Sequence, residues 1–178
     1  MVWSGDFFVL LIPNFNNYIM KNRLFGLLLL LLLSACGLES PYSLPEKLPV
    51  NPELSGVWQE KQDGKSMLII TPKNKTRYNL EVILDKTKKD GKNSKSEFFE
   101  TQIGNYKIVN LIDQDKDGKQ KNLFCTYTLE PDILVFRLVN EPQDSIQLDS
   151  PEMLLQYFKN HIDDAGFFDE PVTMIRQK

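Results

Sequence analysis

One histidine, two cysteines and two tryptophans in 178 residues leave little from which most catalytic centres are built. His161 is the single imidazole, so a metal site with several histidine ligands is excluded, and any nucleophile has only that ring as a histidine base. The G-x-S-x-G, H-E-x-x-H, G-x-G-x-x-G and P-loop patterns are all missing. An excess of positive charge is missing too: 21 basic residues face 24 acidic ones, for a net charge of −3. That balance argues against a nucleic-acid-binding surface, which is normally strongly basic. No apolar run reaches the roughly 20 residues that a membrane-spanning helix needs.

What is present begins with an apolar run from Leu24 to Leu33, broken only by Phe25 and Gly26 and preceded by Met20, Lys21 and Arg23. A charged head, an apolar core and small residues make up a secretory signal. Leu33-Ser34-Ala35-Cys36 resembles the lipobox of bacterial lipoproteins. The resemblance implies cleavage between Ala35 and Cys36, a diacylglyceryl group on the Cys36 thiol and a further acyl chain on the new amino terminus. Each buried CH₂ contributes about 0.8 kcal/mol, so one chain binds marginally and two anchor stably. Asp6, Asn14, Asn16 and Asn17 interrupt residues 1–19, which makes Met20 the expected true start. Gly37 follows the cysteine, where an aspartate would favour inner-membrane retention. The implied location is the cell envelope, on an outer membrane facing the periplasm where there is one.

Removing residues 1–35 takes away Asp6, Lys21 and Arg23 and leaves a net charge of −4. Cys125 then has no partner once Cys36 is lipidated, so no disulfide forms within one chain. Pro41, Pro45, Pro49 and Pro52 punctuate residues 36–52, which reads as an extended spacer. At about 3 Å per residue it would hold the domain up to roughly 45 Å from the lipid. Residues 53–178 fit one domain with a modest core.

Within that domain, short β-type runs are expected near 56–60, 66–71, 76–84, 96–103, 106–112, 121–129, 132–139 and 172–177. Tyr78, Leu80, Val82 and Leu84 alternate with Asn79 and Glu81, as a half-buried strand does. Asp63-Gly64, Asp90-Gly91 and Asp117-Gly118 supply hairpin turns. Ser150-Pro151-Glu152 reads as an N-cap with proline at the first helical position, opening a helix over about 151–161. Met153, Leu154, Tyr157 and Phe158 would form its packing face. The expected fold is mainly β, strictly α+β with one helix. It is a small antiparallel barrel or strongly curved sheet with the C-terminal helix packed on it.

Gly56-Val57-Trp58 heads the first run and resembles the Gly-x-Trp opening of lipocalin-like, calycin-type barrels. That resemblance implies that Trp58 closes one end of the barrel against an arginine near the chain's end. Arg176 is the match, and the contact would be a cation–π stack. The lipocalin Thr-Asp-Tyr motif is missing, and the helix precedes the last strand instead of following it. The run from Gly56 to Phe167-Phe168-Asp169-Glu170-Pro171 also resembles small exported bacterial lipoproteins of uncharacterised function.

Several constellations have a chemical and a plainer reading. Asp113, Asp115, Asp117 and Gly118 open like a calcium loop, but Lys121 and Phe124 stand at its ninth and twelfth positions, so a solvated turn is expected. His161 with Asp163, Asp164, Asp169 and Glu170 is one imidazole beside a polar loop, favoured at a helix C-terminus by the dipole. Lys86, Lys88, Lys89, Lys92 and Lys95 suit anionic headgroups or a soluble hairpin tip. Cys125 is expected to behave as a small apolar residue. No catalytic residue, metal or cofactor is assigned. The function expected is non-catalytic: an interaction module contacting an envelope protein, or a carrier of a small apolar ligand; an enzyme with an unrecognised site is the third alternative. Tyr78, Phe98, Leu123 and Phe136 would crowd the interior and favour the former; Phe167 and Phe168 are the one hint of a docking surface, though both are rather expected to tuck under the sheet edge.

Overall fold

Strict alternation of side chains between two faces lets one run of strands bury a core on each side of a single sheet. The computed structural model describes residues 37–62, 64–84, 93–114, 117–142 and 148–178. Its strands are β1 (Glu39–Ser40), β2 (Gly56–Glu60), β3 (Met67–Pro72), β4 (Arg77–Ile83), β5 (Asn93–Ile103), β6 (Tyr106–Gln114), β7 (Gln120–Glu130), β8 (Ile133–Leu138) and β9 (Val172–Arg176). The helix α1 (Pro151–His161) lies between β8 and β9. Every pairing is antiparallel, and β2–β9 close into an eight-stranded ring because β7 pairs with β6 on one edge and β8 on the other. β1 is the additional strand: it pairs with Asn122 and Leu123 of β7, on the edge that β8 has left free.

All eight expected strands and the helix are present, β2 and the helix with the expected ends and the others with ends shifted by at most three residues. Gly64 and Gly118 sit at φ 63° and 76°, as their turns require. Asp63, Asp115 and the Asp90-Gly91 pair lie outside the described residues, as do Lys86, Lys88, Lys89 and Lys92.

Register sorts the side chains. Tyr78, Phe98, Leu111 and Leu123 align across β4–β7 on the inward face, while Asn110 and Phe124 align on the outward one. The outward face of β5–β7 is covered by α1, whose Leu154, Tyr157 and Phe158 pack with Ile103, Ile108 and Phe124. Ser150 caps that helix, its Oγ accepting from the Met153 N–H at 3.2 Å, a contact that contributes about 1 kcal/mol. Met153 departs from expectation: it is 48% exposed, because only positions 154, 157 and 158 turn to the sheet.

The proline-rich stretch also departs from expectation. It is no free spacer but a strap laid along the barrel wall. Leu38 and Leu44 are buried in the outer core, and the Leu44 N–H donates to Asn110 Oδ1 at 2.9 Å. Thr101 Oγ1 donates to the Pro45 carbonyl, and the Leu48 N–H to the Glu100 carbonyl at 3.3 Å. Arg77 holds Glu46 through Nε and Nη2 at 2.9 and 2.7 Å, which keeps that carboxyl below its ordinary range. Proline suits such a strap because it brings no N–H to leave unpaired against the wall.

Candidate functional site

The barrel is plugged at one end. A 3₁₀ turn, Pro52–Leu54, tucks Leu54 under Trp58, which is 0% exposed, and the indole N–H donates to the Leu54 carbonyl at 3.0 Å. The Arg176 guanidinium lies over the Trp58 ring, 4.1 Å from its centroid, and Arg176 and Trp58 are register partners of β9 and β2. Its nitrogens donate to the carbonyls of Ser55 (2.8 Å), Pro131 (3.2 Å) and Glu53. One cation therefore ties the turn, the β7–β8 hairpin and the last strand together. Gly56 is needed beside it: its φ is 144°, and a Cβ there would stand 2.6 Å from Arg176 Nη1.

Next to the plug lies a buried acid that the sequence reading did not single out. Glu100 is 2% exposed. It accepts from Tyr78 Oη at 2.6 Å and from Tyr127 Oη, while Tyr78 Oη accepts from the Asn51 N–H. Burial, reinforced by the neighbouring carboxylate, pushes both phenols well above their ordinary range. Two hydroxyl donors make the buried carboxylate tolerable. The only sequence signal was a glutamate where alternation calls for an inward side chain, two positions after Phe98. The network closes the floor, and Tyr78 stacks on Phe98 at 4.4 Å beneath the space above.

Towards the other end, the inward side chains change character. Ile70, Tyr78, Phe98 and Val109 are buried, yet one or two steps further along the same strands Leu68, Leu80, Val82 and Leu111 are only half-buried. Leu123 and Phe136 are half-buried as well. From Tyr78 to Val82 is about 13 Å of strand, and over that length the inward side chains pass from buried to partly buried, with Ser94 and Ser96 of β5 among the inward positions of the less buried half. Antiparallel order places the β2–β3, β4–β5 and β6–β7 connections at this end, the mouth. Cys125 also points inward, and burial pushes its thiol up to about 12, which leaves it inert as a nucleophile at neutral pH. The expected crowding thus holds for Tyr78 and Phe98 but not for Leu123 and Phe136.

Across β3–β5 lies an open groove of about 410 Å³, lined by the outward Ile69, Thr71, Asn79, Glu81, Lys95 and Glu97 and also by Leu80 and Ser96. Glu81 faces Lys95 at 3.9 Å, and Glu97 pairs with Lys73 and, at 3.8 Å, with Arg77.

The remaining candidates separate. His161 Nδ1 meets Asp164 Oδ2 at 2.8 Å on the surface and packs on Tyr157, and no group of metal-ligating residues forms among the described residues. Phe167 and Phe168 are buried against Tyr157, Phe158 and Tyr106, so they offer no docking surface. Cys36 and Ala35 lie outside the described residues. No protein family, curated protein or solved structure matches the chain.

Proposed function

We propose that this chain is a lipid-anchored cell-envelope protein, on the outer membrane where there is one, that works by binding rather than catalysis. Its ligand is a small molecule whose apolar part enters the mouth half of the barrel. The observation that carries this reading is the contrast between buried Ile70, Tyr78, Phe98 and Val109 and partly buried Leu68, Leu80, Val82 and Leu111 on the same strands. A cup closed at one end and mostly apolar inside gives a ligand buried area and a single way in. The lipobox-like Leu33-Ser34-Ala35-Cys36 supports the anchor.

Native mass spectrometry of residues 37–178, purified gently from a bacterial extract, tests the ligand. An added mass that leaves on denaturation is expected, and it should vanish in Leu111→Trp, which fills the cup. A bare mass for both proteins overturns ligand carriage. Cys36→Ala should move the full chain to the soluble fraction, and continued membrane association would overturn the anchor. The outer groove of β3–β5 supports a second reading, an envelope protein as partner. Crosslinking from Thr71 to the same neighbour in intact cells would favour it.

A further inference from the structure

The strap bears on how far the domain stands from the membrane. Leu38 is buried, its N–H donates to the Val139 carbonyl at 2.8 Å, and Gly37 already bridges Asn140. Between the residue that the lipoprotein reading lipidates and this first secured backbone there is one residue, Gly37. Two Cα steps span at most about 7.6 Å, against the roughly 45 Å that residues 37–52 would reach as a free polyproline spacer.

The surroundings of Gly37 are braced. The Asn140 N–H donates to Phe167 O at 2.9 Å and its Nδ2 to Gly166 O at 2.7 Å. The Asp169 N–H donates to Leu138 O at 2.9 Å, and Arg137 donates to Phe168 O and Asp169 O while lying over the Phe168 ring. Glu39 is paired with Lys121. This wall carries no excess of positive charge to draw it to anionic lipid, since Glu39 and Asp169 stand beside Lys121 and Arg137, so only a short tether would hold it there.

We infer that the barrel wall around Gly37, formed by β1, Val139–Asn140 and the Phe167–Asp169 corner, is the face that meets the lipid bilayer. The inference rests on lipidation of Cys36. With the strap fixed to the wall, the barrel sits side-on at the headgroup layer, and whatever it binds is met there rather than tens of ångström away.

The mature chain supplies its own reference probe, because Trp58 is its single tryptophan and is sealed in the plug. Lipidated protein would be extracted from expressing cells in detergent and reconstituted into phosphatidylcholine vesicles with shallow-brominated acyl chains. Glu39→Trp and Asn140→Trp each add an indole on the wall, the first at an exposed position that tolerates the change. Lys75→Trp adds one on the β3–β4 turn, four strands round the ring from β7. The added emission at 39 or 140 should fall at least twofold relative to unbrominated vesicles, and that at 75 should not. Inserting 16 Gly/Ser residues between Cys36 and Gly37, with a mean reach of about 22 Å, should abolish the quenching while the protein still floats with the vesicles. Flotation with equal quenching at 39, 140 and 75 overturns the wall and leaves the anchor standing. Absence of flotation overturns both.

Discussion

The two ends of the barrel are made from the same strands and differ in what stands across them. At the plugged end, a turn, an indole, a guanidinium and a buried carboxylate with two phenols satisfy one another's hydrogen bonds and exclude water. At the mouth the strands continue with smaller inward residues, among them Leu68, Leu80, Val82 and Leu111 beside Ser94 and Ser96, which water still reaches. One end therefore carries stability and the other leaves room. Burial of apolar area contributes about 25 cal/mol per Å², so the partly buried leucines at the mouth hold stabilisation that the fold leaves unrealised.

The contrast breaks most readily at the plug. Trp58→Ala should destabilise by about 3–5 kcal/mol, since it removes a fully buried ring and strands the Arg176 cation. Arg176→Ala in the same background should add far less than it does alone, because the two act as one unit. Chemical denaturation of the four proteins measures the coupling, and additive losses would show that the stack does not hold the plug.

Glu100→Ala comes next, at about 2–4 kcal/mol, because it leaves two buried hydroxyls without an acceptor. Glu100→Gln keeps an acceptor and should lose less than half as much. Equal losses for the two variants in thermal melts would mean that packing, and not the hydrogen bonds, is what Glu100 provides.

Alkaline pH should also act through the plug and the core. Cys125, Tyr78 and Tyr127 all hold their protons to higher pH when folded than when unfolded. From about pH 9 upwards the unfolded chain releases them first, so folding stability falls as pH rises, by up to about 1.4 kcal/mol per unit for each group. Below about pH 8 these three groups contribute almost no slope, and between pH 8 and 9 only Cys125 does. Urea midpoints from pH 7 to 11 test this, and Tyr127→Phe should flatten the fall. A flat profile in the wild type would contradict it.

The smallest stability change is expected at the mouth, where Leu80→Ser or Val82→Ser should cost under about 1 kcal/mol because those side chains are already partly in water. Ligand retention, read as the bound fraction by native mass spectrometry, should nevertheless fall about tenfold. Large destabilisation with unchanged retention would erase the distinction between the ends.

The strands were readable because period-two alternation with Gly-bearing turns is a local signal, and Ser150-Pro151 marks a helix start within three residues. Gly56, Trp58 and Arg176 were legible as a set only through the resemblance of Gly56-Val57-Trp58 to the opening of lipocalin-like barrels, which implies an arginine near the chain's end. Glu100 was not, because a buried carboxylate looks like a solvated one until its partners, 22 and 27 residues away in the chain, are brought to it. The strap was misread for a related reason. Four prolines describe an extended backbone equally well whether water or a wall lies alongside, and Leu38 and Leu44 were too sparse to form a pattern.

By itself, the sequence determined the kinds of element, their order and the residues able to face inward, because those follow from neighbours two to four positions apart. Tertiary structure alone decided that the ring closes between β7 and β8, that the linker lies bound to the wall, and that one end is sealed by a turn, an indole and a guanidinium. Those outcomes depend on contacts between residues dozens of positions apart, whose energies exist only once the chain has brought them within hydrogen-bonding and van der Waals range.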